Sequence, residues 1–160
     1  MDMLVRLYDL PDGSARTTRL MQQGIAVRRA MVHERRKVVA WVADQFGPSA
    51  SGWADECEVA FARSPVSCLI AVQQGRIVGF ACYEVAARGI FGPIGVKEDC
   101  RVRGIGGALL ISALRDMYQL GYAYAVIGHV GAPEFFARAV AAEEIAGSTP
   151  GMYPSDSSIL

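Results

Sequence analysis

With 160 residues, 52% of them hydrophobic and 20% charged, the chain has the size and composition of one compact domain with a single core. Sixteen basic residues balance sixteen acidic ones, so no global field draws it to nucleic acid or anionic lipid, and it has no apolar run of ~18 residues that could span a membrane. The opening MDMLVRLYDLPDG carries an acid at position 2 and no apolar core, so it does not read as a secretory signal.

Four cysteines, Cys57, Cys68, Cys82 and Cys100, form no C-x-x-C pair, and only His33 and His129 accompany them. No metal-ligand spacing emerges, and free thiols in a reducing cytoplasm are expected.

Taken in order, residues 4–7 alternate as a short strand does, and Pro11-Asp12-Gly13-Ser14 is a turn. Residues 25–30 read as a strand. A charged run over 32–46 has Val38, Val42 and Phe46 at helical spacing and stops at Gly47-Pro48. Ser51 is placed to cap a second helix with Asp55 and Glu56 in its first turn and one apolar face (Trp53, Cys57, Ala60, Phe61). The basic cluster Arg28, Arg29, Arg35, Arg36 and Lys37 reads as a solvated face, because no aromatic residues interleave with it.

Three strands then follow at 68–72, 77–85 and 90–96, separated by the turns Gln73-Gln74-Gly75-Arg76 and Ala87-Arg88-Gly89. Gly92-Pro93 lies inside the third. Proline removes a ladder hydrogen bond and glycine marks a bulge, so this strand should be bent or splayed. A largely apolar helix over 104–119, a strand over 122–130 and a helix opening at Pro133 complete the ordered part. The tail from Gly147 is turn-rich. The order gives an α/β fold with a mixed sheet.

The chemistry concentrates in Arg101-Val102-Arg103-Gly104-Ile105-Gly106-Gly107, between the third meander strand and the long helix. Three glycines in four positions bare the main chain at a helix start, where amides lack intrahelical partners and the dipole is positive. With two arginines alongside, this is an anion site, and phosphate is the natural occupant. The NTPase phosphate loop needs Gly-Lys-Ser/Thr, which is absent. The dinucleotide fingerprint needs a small residue where Leu109 stands, and an acid about 20 residues further on, which is also missing. The pattern R/Q-x-x-G-x-G/A fits as Arg101-x-x-Gly104-x-Gly106.

That last pattern, in this order of elements, resembles the GCN5-related N-acetyltransferases over residues 25–142. Further pieces align: residues 25–30 are similar to the family's opening strand, Arg76-Ile77-Val78-Gly79-Phe80 to its hairpin strand, and Pro133-Glu134-Phe135-Phe136 to its late helix. The resemblance implies one domain over 1–160. It implies a mixed, mostly antiparallel sheet flanked by helices and splayed between its fourth and fifth strands. It also implies acetyl-CoA as co-substrate and an amine acceptor, a small molecule or peptide, with no metal. Backbone groups of Ile94, Gly95 and Val96 would bond pantetheine. Amides of Val102, Arg103, Gly104, Ile105, Gly106 and Gly107 would take the pyrophosphate, with charge from Arg101 and Arg103. The Ile105 side chain would be core.

Direct acetyl transfer needs a base for the amine and can use an acid for the leaving thiolate. The family often places a tyrosine acid on the late helix, where this chain has Phe135 and Phe136. Glu84, near the end of the hairpin strand, is the candidate base, acting through water. It alternates with Tyr83, so only one of them faces the cleft, and a solvated strand-end charge is the other reading of Glu84. His129, ending the next strand, is a second candidate for proton transfer. A catalytically silent acyl-CoA-binding module is the alternative function. The polar tail could pair with a second copy as a homodimer.

Overall fold

The computed structural model describes residues 1–153, with the side chains of Val102 and Arg103 also outside the described set. Strand β1 (Met3–Arg6) leads through a 3-10 turn into helix α1 (Ser14–Gln22), followed by β2 (Ile25–Arg29), α2 (Arg35–Phe46) and α3 (Trp53–Phe61). The meander is β3 (Cys68–Gln73), β4 (Arg76–Tyr83) and β5 (Ile90–Val96). A 3-10 segment (Glu98–Arg103) precedes α4 (Ile105–Gln119), and β6 (Tyr124–Ile127), α5 (Pro133–Val140) and β7 (Glu143–Glu144) follow. Among the described residues these strands form one sheet in the order β2-β3-β4-β5-β6-β1-β7. All neighbours are antiparallel except β5 and β6. No helix among the described residues is long and apolar enough to cross a membrane.

Strand alternation sends side chains to two cores. Ile70, Phe80 and Cys82 meet Val38, Val42, Phe46, Cys57 and Ala60 of α2 and α3 on one face. Leu69, Ala71, Ala81 and Tyr83 meet α4 on the other, where Ile105, Leu109, Leu110, Leu114 and Met117 are fully buried. Each such side chain contributes roughly 1.5–3 kcal/mol on burial, which fixes α4 and therefore the loop at its head. Helix α1 was not visible in the sequence, where its first residues read only as a turn. Its run SARTTRLMQ is mostly polar and buries only Leu20, so few apolar residues mark it. Asp12 starts it, accepting hydrogen bonds from the Ser14 amide (2.9 Å) and hydroxyl (3.0 Å). Ser51 does not cap α3. Gly52 stands at the cap, and the Trp53 amide bonds to the Ala50 carbonyl at 3.1 Å, so the backbone satisfies that donor.

The expected splay lies between β5 and β6, the fourth and fifth strands counted from residue 25. They pair in parallel only at Ile90↔Val126 and Phe91↔Ile127. Beyond them Gly92 takes φ +126°, and the register with β4 jumps from Tyr83↔Phe91 to Ala81↔Ile94. One extra residue on β5 is a bulge, which bends the strand away from its neighbour.

Candidate active site

The divergence of β5 from β6 opens a cleft of about 990 Å³. Its β5 wall presents main chain. The Lys97 amide bonds to the Val78 carbonyl of β4 at 2.9 Å, and polar groups of alternate residues face opposite neighbours. Gly95 therefore faces β4 as Lys97 does, while Ile94 and Val96 turn their N–H and C=O toward the gap. Gly95 has a different role from its neighbours. A Cβ there would come within 2.6 Å of the Phe46 ring, so the ring and the strand meet only because the side chain is missing.

At the head of α4, Gly104 sits in the left-handed region (φ +81°), which a residue with a Cβ adopts at a cost. The Ala108 amide bonds to the Gly104 carbonyl at 3.2 Å. The amides of Ile105, Gly106 and Gly107 precede that bond and lack an i−4 helical acceptor. Gly104, Gly106 and Gly107 line the cleft, and Ile105 points into the core with 0% exposure, as expected. Arg101 also lines it, but its Nε donates to the Val96 carbonyl at 3.3 Å, tying the loop back to β5.

The sequence did not point to Arg16. This residue of α1 lies directly over the loop: a Cβ on Gly107 would collide with its guanidinium, whose Cζ would be 2.9 Å away. Arg16 lines the cleft, and among the described residues no hydrogen bond or ion pair engages it. A cation with no partner among the described residues thus rests on the positive end of a helix, an arrangement that favours an anion between the two.

Glu84 is not in the cleft. It occupies a left-handed corner (φ 63°) and is 7% exposed. Its carboxylate accepts hydrogen bonds from the Gly89 amide and, at 3.1 Å, from the Tyr122 hydroxyl, while its carbonyl accepts one from Arg63. The carboxylate closes the β4–β5 turn, which corrects its assignment as base. Tyr83 is also turned away. Its hydroxyl lies 2.8 Å from Arg29 and 3.2 Å from Asp116, in a network joining β2, β4 and α4.

His129 does reach the cleft, joined by Glu56 of α3 and Tyr153 of the tail. The Tyr153 hydroxyl donates to Glu56 at 3.2 Å, and its ring meets the His129 ring edge-on at 6.3 Å. Burial and the nearby Glu56 charge push the Tyr153 hydroxyl up to about 12. Burial also raises the Glu56 carboxyl, against the Tyr153 hydrogen bond, which lowers it. The buried Asp2 anchors this side, accepting hydrogen bonds from the His129 amide (2.8 Å) and the Met152 amide (3.1 Å). Phe135 and Phe136 line the cleft where the family tyrosine was expected.

Folding also collects Cys57, Cys68 and Cys82, though no ligand spacing marks them in the sequence. Their sulfurs lie within 4.8 Å of one another, fully buried between α3 and the sheet. Such a set could hold a soft, thiophilic ion.

The model of the "Acetyltransferase (GNAT) family" matches residues 19–146. No curated protein matches the chain. Among solved structures, a GCN5-related N-acetyltransferase from Sphaerobacter thermophilus is similar with a TM-score of 0.68 and 24% identity, over 89% of this chain and 47% of that one. A glucosamine N-acetyltransferase region of a fungal multi-domain β-N-acetylglucosaminidase gives 0.68 and 17%, over 87% and 19%. A GNAT family acetyltransferase from Brucella melitensis, solved with acetyl-CoA, gives 0.54 and 20%, over 69% and 80%. These identities speak to the fold alone. The chain spans only 19% and 47% of the length of the first two.

Proposed function

Since this chain belongs to the acetyltransferase (GNAT) family, we propose that it is an acetyl-CoA-dependent N-acetyltransferase, moving the acetyl group directly from the thioester to an amine. The observation that carries this reading is one cleft joining two features: a strand edge whose main-chain groups at Ile94 and Val96 face the gap, the Val96 carbonyl already holding Arg101, and bare helix-start amides at Ile105, Gly106 and Gly107. A pantetheine arm has amides to match the first, and a pyrophosphate has oxygens to match the second.

Each residue then has a stated part. Ile94 and Val96 hold the arm in the manner of an added strand. The loop amides and the Arg16 guanidinium take the pyrophosphate, and Arg101 keeps the loop docked on β5. The backbone of Arg103, whose side chain lies outside the described residues, and that of Val102 complete the loop. The Val96 amide, facing the gap, is placed to receive charge developing on the thioester oxygen. The four free cysteines fit a reducing compartment, and the cytoplasm is the proposed setting.

Titration calorimetry with acetyl-CoA tests the binding half of this reading, and amine-dependent release of free thiol tests the transfer half. The reading predicts binding and amine-stimulated release. Binding without release under a broad amine panel would identify a silent acyl-CoA-binding module. No heat with any coenzyme A species would end the proposal.

A further inference from the structure

Residues 147–153 lie beyond the part of the chain that the family model matches, yet they finish the cleft. The tail returns along Asp2, whose main-chain amide bonds to the Ser148 hydroxyl at 2.8 Å and whose carboxylate holds the Met152 amide. This brings Tyr153 against Glu56, 97 residues away in sequence. Among the described residues lining the cleft, Glu56 is the one carboxylate, and it comes from a different element than Arg16 and Arg101. A half-buried carboxylate, held by one hydroxyl and with no partner for its other oxygen among the described residues, is a seat for a cation.

We infer that Glu56, oriented by Tyr153, seats the acceptor as a cationic amine and takes the proton that its nitrogen sheds during acetyl transfer. This rests on the acetyltransferase reading and deepens it by naming the acceptor class. The acceptor enters as an ammonium paired with Glu56 and loses one proton to water. Its nitrogen then attacks the thioester carbon, and the C–N bond forms. The nitrogen becomes far more acidic as that bond forms, and it gives its second proton to Glu56. The C–S bond breaks, and its electron pair leaves with sulfur as a thiolate. Tyr153 is a positioning residue in this scheme. A hydroxyl pushed up to about 12 keeps its proton and serves as a fixed hydrogen-bond donor.

The titratable groups facing Glu56 are Tyr153 from the tail and Asp55 on its own helix, with His129 beyond the Tyr153 ring. Burial and Asp55 raise the Glu56 carboxyl and the Tyr153 hydroxyl lowers it. Removing that hydroxyl in Tyr153→Phe should therefore move the acidic limb of the pH–rate profile to higher pH, a change that a packing role would not produce.

The test uses n-butylamine as a minimal acceptor and n-butanol as its uncharged counterpart, on protein saturated with coenzyme A. Wild type should bind butylammonium in preference to butanol by saturation-transfer NMR, and Glu56→Gln should abolish the preference. With acetyl-CoA, Glu56→Gln should slow butylamine-dependent thiol release by about 100-fold, a typical loss for a missing general base. Equal binding of amine and alcohol by wild type, or an unslowed Glu56→Gln enzyme, overturns the inference. Calorimetry of acetyl-CoA on the same proteins separates the two failures. Wild type that takes up no coenzyme refutes the family-based reading. Normal uptake by both proteins together with either negative result refutes only the role of Glu56.

Discussion

Replacing Arg16 with alanine tests the phosphate end of the proposed site. Its guanidinium has no described partner and lies over Gly107, at the positive end of α4. Deleting a cation there should leave the apoprotein as stable as wild type or raise its stability by ~0.3–1 kcal/mol. The ligand should respond in the opposite direction. A charge pair at about 4 Å contributes ~1 kcal/mol at bulk dielectric and ~4 kcal/mol at an effective dielectric near 20. Arg16 is half-buried, so ~2 kcal/mol is the working value, equivalent to a roughly 30-fold rise in Kd for acetyl-CoA. Calorimetry at low salt should show it, and the gap between variant and wild type should narrow as salt screens the pair. Acetyl-pantetheine, which lacks the pyrophosphate, should bind both proteins equally. An unchanged Kd for acetyl-CoA, or an equal loss with acetyl-pantetheine, would refute the assignment of Arg16 to the phosphates.

Glu84→Ala strips the acceptor from the Gly89 amide and the Tyr122 hydroxyl; it should cost about 1–3 kcal/mol in urea unfolding, while acetyl-CoA affinity stays within about twofold of wild type. A large loss of affinity without loss of stability would return Glu84 to the cleft. Asp2→Ala leaves the His129 and Met152 amides unpaired, so hydrogen exchange should quicken at 128–130 and 148–153 while α4 stays protected; unchanged protection at both segments would sink this reading of the tail. Glu34 is held down to about 2, chiefly by its hydrogen bonds with Arg28. A depressed carboxyl stabilises above its unfolded value near 4.5 and loses that contribution as pH falls toward about 2. The stability difference between wild type and Glu34→Gln should accordingly be full at pH 6 and vanish toward pH 2, and a difference independent of pH would contradict it.

The glycine-loop and β5 walls of the cleft were legible because they are built from neighbours in sequence. Gly104, Gly106 and Gly107 announce a bare helix start, and Gly92-Pro93 announces the bulge that opens the gap. Both signals are local, and both survive folding intact. The wall formed by Glu56 and Tyr153 was not legible because its parts are distant from one another. Tyr153 meets Glu56 only after the tail has been pinned by Asp2, and the sequence of neither residue carries a trace of that. Glu84 was misplaced for a related reason. Strand alternation states which face a side chain takes but not that the strand ends in a left-handed corner, where the carboxylate folds back onto the Gly89 amide. Arg16 was missed because α1 has few apolar residues to mark it and buries only Leu20, so nothing linked it to the helix start it covers.

The gap itself depends on the N-terminal strand. β5 offers β6 only two paired positions, which would leave the far wall of the cleft poorly held. β1 supplies what β5 does not, pairing with β6 over four positions from Met3↔Ile127 to Arg6↔Tyr124. The ladder continues past the strand end, where the Met1 carbonyl accepts the Val130 amide at 2.9 Å and the Asp2 carboxylate accepts the His129 amide. His129 sits at φ 49°, a conformation that a residue with a Cβ keeps only when its surroundings insist. β6 can therefore stand away from β5 without losing its own hydrogen bonds. Strands held apart by their own pairings avoid the ordering cost of being prised open at each encounter with a ligand.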